Sequence, residues 1–406
     1  MRILFLAPQP FFQERGTPIA VRLALEVLAK NDAARVDLLT YHEGETIQIP
    51  NTTIHRIWAP SWLSGIGPGI SLKKLLCDIL FLITSLRLIW RARRQQYALV
   101  HAVEEAVFIA LLSKLLFGIP YLYDMDSSLA LQLTEKWRML RPLQPLLSFC
   151  ERIAVRQSLA VVPVCDALAA IAHQHGSPNT QVLHDISLLG RNTEDTQRDL
   201  RAEANVPTSH LLLVYIGNLE SYQGIDLLLE SYARIISEVP QTSIVIIGGR
   251  PDHVTYYADR SAALGIASQV RFLGPRPVSS LDTYLKQADL LLSPRIKGNN
   301  TPMKIYSYLH SGKPVVATQL PTHTQVMDER IAFLGAPTPA GYGEALLQAI
   351  KSPTLRAKVG AAAQQFAEER YTFDIFSRRL TEIYERLGEQ IAEIPSSLSA
   401  GSRPVQ

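Results

Sequence analysis

Apolar residues in the first part of the chain fall into short continuous runs at 3–7, 35–41, 98–102, 120–123 and 159–164. Runs of that length and content read as strands buried on both faces. Between them, 19–29 and 106–116 carry helical spacing. Strand and helix in alternation predict parallel βαβ units with helices covering both sides of a sheet. The signal lapses over a polar stretch, 191–205, and then restarts. An apolar strand at 211–216 closes on Gly217, a helix fits 226–236, and a strand at 243–247 closes on Gly248-Gly249. Further strands fit 270–273, 290–293 and 314–318. The prediction is an α/β protein of two doubly wound halves, 1–186 and 187–371. Ligands of such sheets bind at the carboxyl ends of the strands, which places the site in a central cleft between the halves. A last helix over 372–390 lies outside the second repeat and is expected to pack back on the first half. The tail, 391–406, is rich in Ser, Pro and Gly and is expected to be disordered.

One segment, 71–96, has a different pattern. Leu72, Leu76, Ile79, Ile83, Leu86 and Trp90 recur at steps of four and three, a helical stripe. Lys73, Lys74, Arg87, Arg91, Arg93 and Arg94 face only Asp78, leaving a local charge of +5. An amphipathic cationic helix bearing a Trp suits an anionic membrane surface, with Trp62 upstream dipping beside it. The alternative is a long helix covering the first sheet, its arginines solvated at the end the helix dipole favours.

Composition narrows the picture. A chain of 406 residues suits two domains. A net charge of +3, from 40 basic against 37 acidic residues, argues against nucleic acid as a partner. Cys77, Cys150 and Cys165 lie far apart, which fits neither a disulfide framework nor a metal site and points to a reducing compartment. His101, His184, His310 and His323 have no metal-ligand spacing, so no metal is expected. His323, just past the strand at 314–318, reads either as a substrate contact or as a loop histidine. The N-terminus reads as a first strand and not as a secretory signal, and no apolar run approaches the ~18 residues of a membrane span. The expected location is cytoplasmic, peripheral on the inner face of the cell membrane.

Three segments carry candidate chemistry. Gly16 and Thr17 precede a helix, where free N–H groups could cradle an anion, or Thr17 could simply cap the helix. Gly217, Asn218, Gln223 and Gly224 form a polar loop between a strand and a helix, either a ligand loop or a turn. In the third, Arg295, Lys297 and Lys304 surround Gly298-Asn299-Asn300-Thr301 before a helix. Cations there could hold a diphosphate without a metal.

Together these segments resemble the retaining family-4 glycosyltransferases of the GT-B fold, two Rossmann-like domains facing a central cleft. The likeness runs over roughly residues 1–388 and is most specific in the Tyr-Ile-Gly strand end at 215–217 and Gly312-Lys-Pro-Val-Val-Ala-Thr. It implies transfer of a sugar from a nucleotide diphosphate sugar to a glycan or lipid-linked acceptor, with retention and without a cofactor. It also implies an acceptor-binding first domain and a donor-binding second domain. Departures are visible. Arg15-Gly16-Thr17 stands where the family usually has Gly-Gly. The family's diphosphate-binding Arg and Lys fall on Asn218 and Gln223, its first motif glutamate near Lys297, and its ribose-binding glutamate on Ser307. Its first-domain histidine falls at Asp124 or Asp126. The resemblance therefore implies that Arg295 and Lys304 take over the diphosphate, that Asn300, Thr301 and Ser307 line the donor site, and that Asp126 holds sugar or acceptor hydroxyls. Capping of the helix near Ser128 is the competing role for Asp124 and Asp126. The competing function is a catalytically silent GT-B subunit serving as a scaffold.

Overall fold

The computed structural model describes residues 1–67, 71–92, 96–191 and 198–393. The chain divides into two compact units, Met1–His184 together with the chain from Phe376 onward, and Asp185–Ile375. The first contains β1 (Arg2–Leu6), α1 (Gly16–Ala29), β2 (Arg35–Thr40), β3 (Thr52–Arg56), α2 (Leu72–Arg91), β4 (Leu99–Val103), α3 (Ala106–Phe117), β5 (Tyr121–Met125), α4 (Leu129–Lys136), α5 (Gln144–Gln157), β6 (Ala160–Pro163) and α6 (Asp166–Gln174). The second contains α7 (Leu200–Glu203), β7 (Leu211–Ile216), α8 (Ile225–Ile235), β8 (Thr242–Ile247), α9 (Pro251–Ala263), β9 (Val270–Gly274), α10 (Leu281–Gln287), β10 (Leu290–Ser293), α11 (Lys304–His310), β11 (Val315–Thr318), α12 (Pro321–Thr324), β12 (Phe333–Gly335), α13 (Pro339–Lys351) and α14 (Pro353–Arg370). A final helix, α15 (Phe373–Glu393), lies mostly in the first unit.

Among the described residues each unit holds one six-stranded sheet, β3-β2-β1-β4-β5-β6 and β12-β11-β10-β7-β8-β9. Every strand pairing is parallel, for example Phe5 with His101 and Val214 with Val245. The doubly wound pattern predicted from the alternating runs is therefore present twice. Parallel strands demand cover on both faces, and β7 shows how the sequence supplies it. Leu213 and Tyr215 enter one core with α8 and α13, while Leu212 and Val214 enter another with α11 and α14. In the first unit, α2, α3, α5 and α6 share one core on one side of the sheet. On α15, Leu380, Ile383 and Leu387 are buried, and the Tyr384 hydroxyl lies 2.6 Å from His101 Nδ1.

β3 and β12 are edge strands that the apolar pattern does not announce. Thr52–Arg56 is polar and only half-buried, and Phe333–Gly335 is three residues long. An edge strand needs apolar cover on less of its surface, so its sequence carries less of the signal.

Candidate functional site

In the second unit β7 and β10 are neighbours, and their following loops lock together. After Gly217, the Asn218 side chain is absorbed by its own turn, Oδ1 accepting the Glu220 amide at 3.2 Å and Nδ2 donating to the Tyr222 hydroxyl at 3.4 Å. Gly224 ends the turn at φ +75° and opens α8. A Cβ on Gly224 would stand 2.0 Å from the Pro294 carbonyl oxygen, so only glycine lets the β10 loop pass. The passage is sealed by the Ile296 amide donating to the Tyr222 carbonyl at 2.9 Å.

Two cations are held at this junction. Arg295 is 8% exposed; its Nε donates to Lys297 O at 2.7 Å, its Nη2 donates to Asn300 Oδ1 at 3.0 Å, and the guanidinium stands over the Tyr222 ring. It occupies the space a side chain at Gly298 would fill. Lys304 begins α11 and aims Nζ at the Tyr215 ring, 3.8 Å from its centroid, with Gln223 Oε1 at 3.5 Å. Burial, then repulsion from Arg295, lowers the Lys304 pKa well below that of an ordinary lysine. Burial likewise lowers that of Arg295. Among the described residues neither is paired with a carboxylate, and Thr301 in the same loop is 2% exposed with a hydroxyl that has no partner. Desolvated cations without counter-charge are costly, and an anion relieves that cost.

His323 is not a ligand contact. It is fully buried, Nε2 lying 2.8 Å from Ser293 Oγ and Nδ1 2.9 Å from Thr318 O. It joins the ends of β10 and β11, and burial, with Lys304 and Arg295 adding repulsion, lowers its pKa to about 3. An unfolded chain binds this proton near the ordinary value of about 6.5. The neutral imidazole therefore stabilises fully above about pH 6.5, and that contribution is lost as pH falls toward 3. Unfolding free energies from denaturant titrations between pH 7.5 and 4.5 should fall by up to about 1.4 kcal/mol per pH unit from this group. His323→Gln should flatten that part of the profile, and an unchanged slope would refute the assignment.

The first unit has its own cluster where β4 and β5 end. Glu104, directly after β4, is held at φ +49°, a conformation side chains rarely adopt. Its Oε1 accepts from Ser127 Oγ at 3.2 Å, and Lys74, Arg15 and Asp124 lie within its electrostatic reach. Burial is the larger influence and raises its pKa despite the two cations. Glu43 accepts the Gly65 and Ile66 amides and faces Arg15. Sequence reasoning misses Arg15, Glu43 and Glu104. For Glu104 the available signal is a charged residue immediately after an apolar strand. Asp126 sits one residue beyond β5, half-buried, near the Tyr123 hydroxyl. The carboxylate of Glu151 on α5 holds the start of α4, accepting from Ser128 Oγ and the Leu129 amide at 2.8 and 2.9 Å. Asp124 instead accepts from His101 Nε2 at 3.2 Å.

The family described as glycosyl transferases group 1 matches residues 196–366, and the glycosyl transferase 4-like domain matches 16–185. The second unit thus carries a glycosyl transferases group 1 domain and the first a glycosyl transferase 4-like domain. It is 28% identical over 221 residues to the D-inositol 3-phosphate glycosyltransferase of Corynebacterium diphtheriae, a match covering 52% of this chain and 50% of that protein. The chain thus spans about half the length of the curated relatives it matches. Sucrose-phosphate synthase of Thermosynechococcus elongatus superposes with a TM-score of 0.78 at 17% identity, over 96% of this chain and 99% of that one. Anabaena HepE in complex with UDP superposes at 0.71 and 18% identity, over 95% and 100%. These likenesses show the fold, GT-B with its two Rossmann-like domains.

Within that family frame, several expected positions do other work. Ser307, expected at the ribose, is 1% exposed and accepts the Leu188 amide at 3.0 Å, so its hydroxyl is enclosed in the fold. Thr17 does not cap α1. Arg15 is the N-cap residue, and Gly16 and Thr17 are the first helical residues. Of the residues expected at a membrane surface, Trp62 and Trp90 are 64% and 60% exposed, and Lys73, Arg87 and Arg91 are exposed. Lys74 is not among them. It turns inward to an ion pair with Glu105, because residues 74, 77, 78 and 81 share the helix side that meets the sheet. Arg93, Arg94 and the tail from 394 lie outside the described residues. No described helix is long and apolar enough to cross a membrane.

Proposed function

We propose that this chain moves a sugar from a nucleoside diphosphate sugar to a hydroxyl of a glycan or lipid-linked acceptor, with retention at the anomeric carbon. The observation that carries this is the pair of desolvated cations, Arg295 and Lys304, enclosed at the loops that follow β7 and β10 without a carboxylate partner among the described residues. They match the charge of a diphosphate, and charge developing on the leaving diphosphate is what a preorganised site must stabilise. The HepE structure contains UDP, which makes a uridine donor the first to test.

On this reading the second unit holds the donor through Arg295, Lys304, Gln223, Asn300 and Thr301. The first unit receives the acceptor, with Glu104, Arg15 and Asp126 as hydroxyl partners. The departing diphosphate takes the proton of the incoming hydroxyl on the same face. No metal is required, since the two cations supply the charge. The exposed side of α2 turns to an anionic membrane that carries the acceptor.

Calorimetric titration with UDP, GDP, ADP and dTDP, each in EDTA, tests the donor site. One nucleotide should bind, and its sugar conjugate should give a product whose anomeric proton retains the donor configuration by NMR. Binding by none of the four would leave a non-catalytic GT-B subunit. An inverted product would remove the retaining mechanism.

A further inference from the structure

On one side of the first sheet α3 and α5 bury small residues and expose large apolar ones, and their neighbour α2, which buries Phe81 and Ile89, exposes apolar residues as well. α3 packs on α2 and on α5, and all three contribute to the same core. The residues that α3 buries are small, Ala106, Val107, Ala110 and Ser113, whereas Leu115 and Leu116 are 71% and 59% exposed. α5 repeats the pattern. It buries Ala154 and Val155 and leaves Leu146 and Phe149 58% and 54% exposed. On α2, Ile79 and Ile83 are also exposed. A helix covering a sheet in water ordinarily places its large apolar residues inward and its polar ones outward. Exposed large apolar residues on three helices packed side by side mark a surface that something covers.

Charge on the same helices says what covers it. α2, α3 and α5 contain two carboxylates, and both are turned inward. Asp78 accepts from the Tyr41 hydroxyl, and Glu151 is 1% exposed where it holds the start of α4. Their exposed charges are all cations: Lys73, Arg87 and Arg91 on α2, and Arg152 and Arg156 on α5. A face that offers leucine and phenylalanine among arginine and lysine, with no outward acid, complements an anionic lipid surface.

We infer that the α2, α3 and α5 layer is one continuous membrane-docking face whose occupant is an anionic phospholipid bilayer. This rests on the lipid-facing reading of α2 and extends it across two further helices. It also ties docking to the acceptor cluster, because α2 sends Lys74 to Glu105 and toward Glu104 from its opposite side. An acceptor anchored in the same bilayer would present its head group beside that cluster.

Co-sedimentation of the full chain with phosphatidylglycerol–phosphatidylcholine vesicles, against phosphatidylcholine alone, tests the inference. Binding should require the anionic lipid and weaken with salt. Leu146→Ser with Phe149→Ser, and separately Leu115→Ser with Leu116→Ser, should each lower partitioning at least tenfold. These side chains are exposed, so folding should survive, shown by unchanged UDP affinity or, if no nucleotide binds, by an unchanged Tm. If only Ile79→Ser with Ile83→Ser lowers binding, α2 docks alone and the extended face is overturned. If the unaltered chain stays in the supernatant at low salt, the α2 reading falls as well. A stable dimer by light scattering that those α3 and α5 variants dissolve, with no vesicle binding, would assign the face to a second copy and overturn the lipid assignment.

Discussion

Lys304→Ala should weaken binding of the preferred nucleoside diphosphate at least tenfold, about 1.4 kcal/mol, without lowering the Tm. The two halves of that result have one cause. In the free protein the amine sits between the Tyr215 ring, Gln223 and Arg295, and burial makes its charged form unfavourable. Removing it takes away a cost of the folded state, so stability should hold or rise. A bound diphosphate reverses the balance by supplying the missing negative charge, which raises the amine's pKa. Binding by the unaltered chain should therefore take up a proton, and affinity should fall as pH rises. Calorimetry in two buffers of different ionisation enthalpy reads this uptake directly, and the variant should lose it. Arg295→Ala should weaken binding at least as much, because the guanidinium also braces the loop through Lys297 O and Asn300. Unchanged affinity in both variants would end the case for a diphosphate at these cations.

Gly224→Ala is expected to be the most damaging small substitution near the site. The position is at φ +75°, where a non-glycine residue costs on the order of 1 kcal/mol or more. The new Cβ would also overlap the Pro294 carbonyl, a backbone atom that cannot swing aside as a flexible side chain would. The β10 loop would have to move away from Tyr222, carrying Arg295 with it. Gly265→Ala separates the two effects, since Gly265 has φ +73° and nothing lies within 4 Å of where its new methyl would stand. Gly265→Ala should cost about 1 kcal/mol of unfolding free energy and leave nucleotide affinity intact. Gly224→Ala should cost several-fold more and abolish binding. Equal losses in the two variants would mean that the loop junction is not rigid.

The doubly wound architecture is legible in residues such as Leu211–Ile216, because a strand buried on both faces must be apolar throughout. The apolar run stops where burial stops, so the ends of β7 and β10, and with them Gly217 and Arg295, can also be placed from the chain alone. The membership of Gly224, Arg295 and Lys304 in one junction is less direct. Their types suggest an anion site, but only the fold brings a residue of the β7 loop under the carbonyl of the β10 loop. Roles that depend on which way a side chain turns stay hidden in the sequence. Position along a motif suggests a ribose contact for Ser307, and a charge run suggests a membrane contact for Lys74. Yet one is enclosed against Leu188 and the other pairs inward with Glu105. Glu104 looks like any charged residue after a strand; its backbone conformation and its neighbours single it out. The α5 face is hidden for a related reason. Hydrophobicity along a helix marks an apolar side, but it does not say whether a sheet or a lipid lies against it. The two sheets and the central strands that build them follow from the chain alone, because burial of apolar runs is a local property. Which polar groups are enclosed, paired or left without counter-charge is settled only in three dimensions, because it depends on neighbours that are distant in sequence.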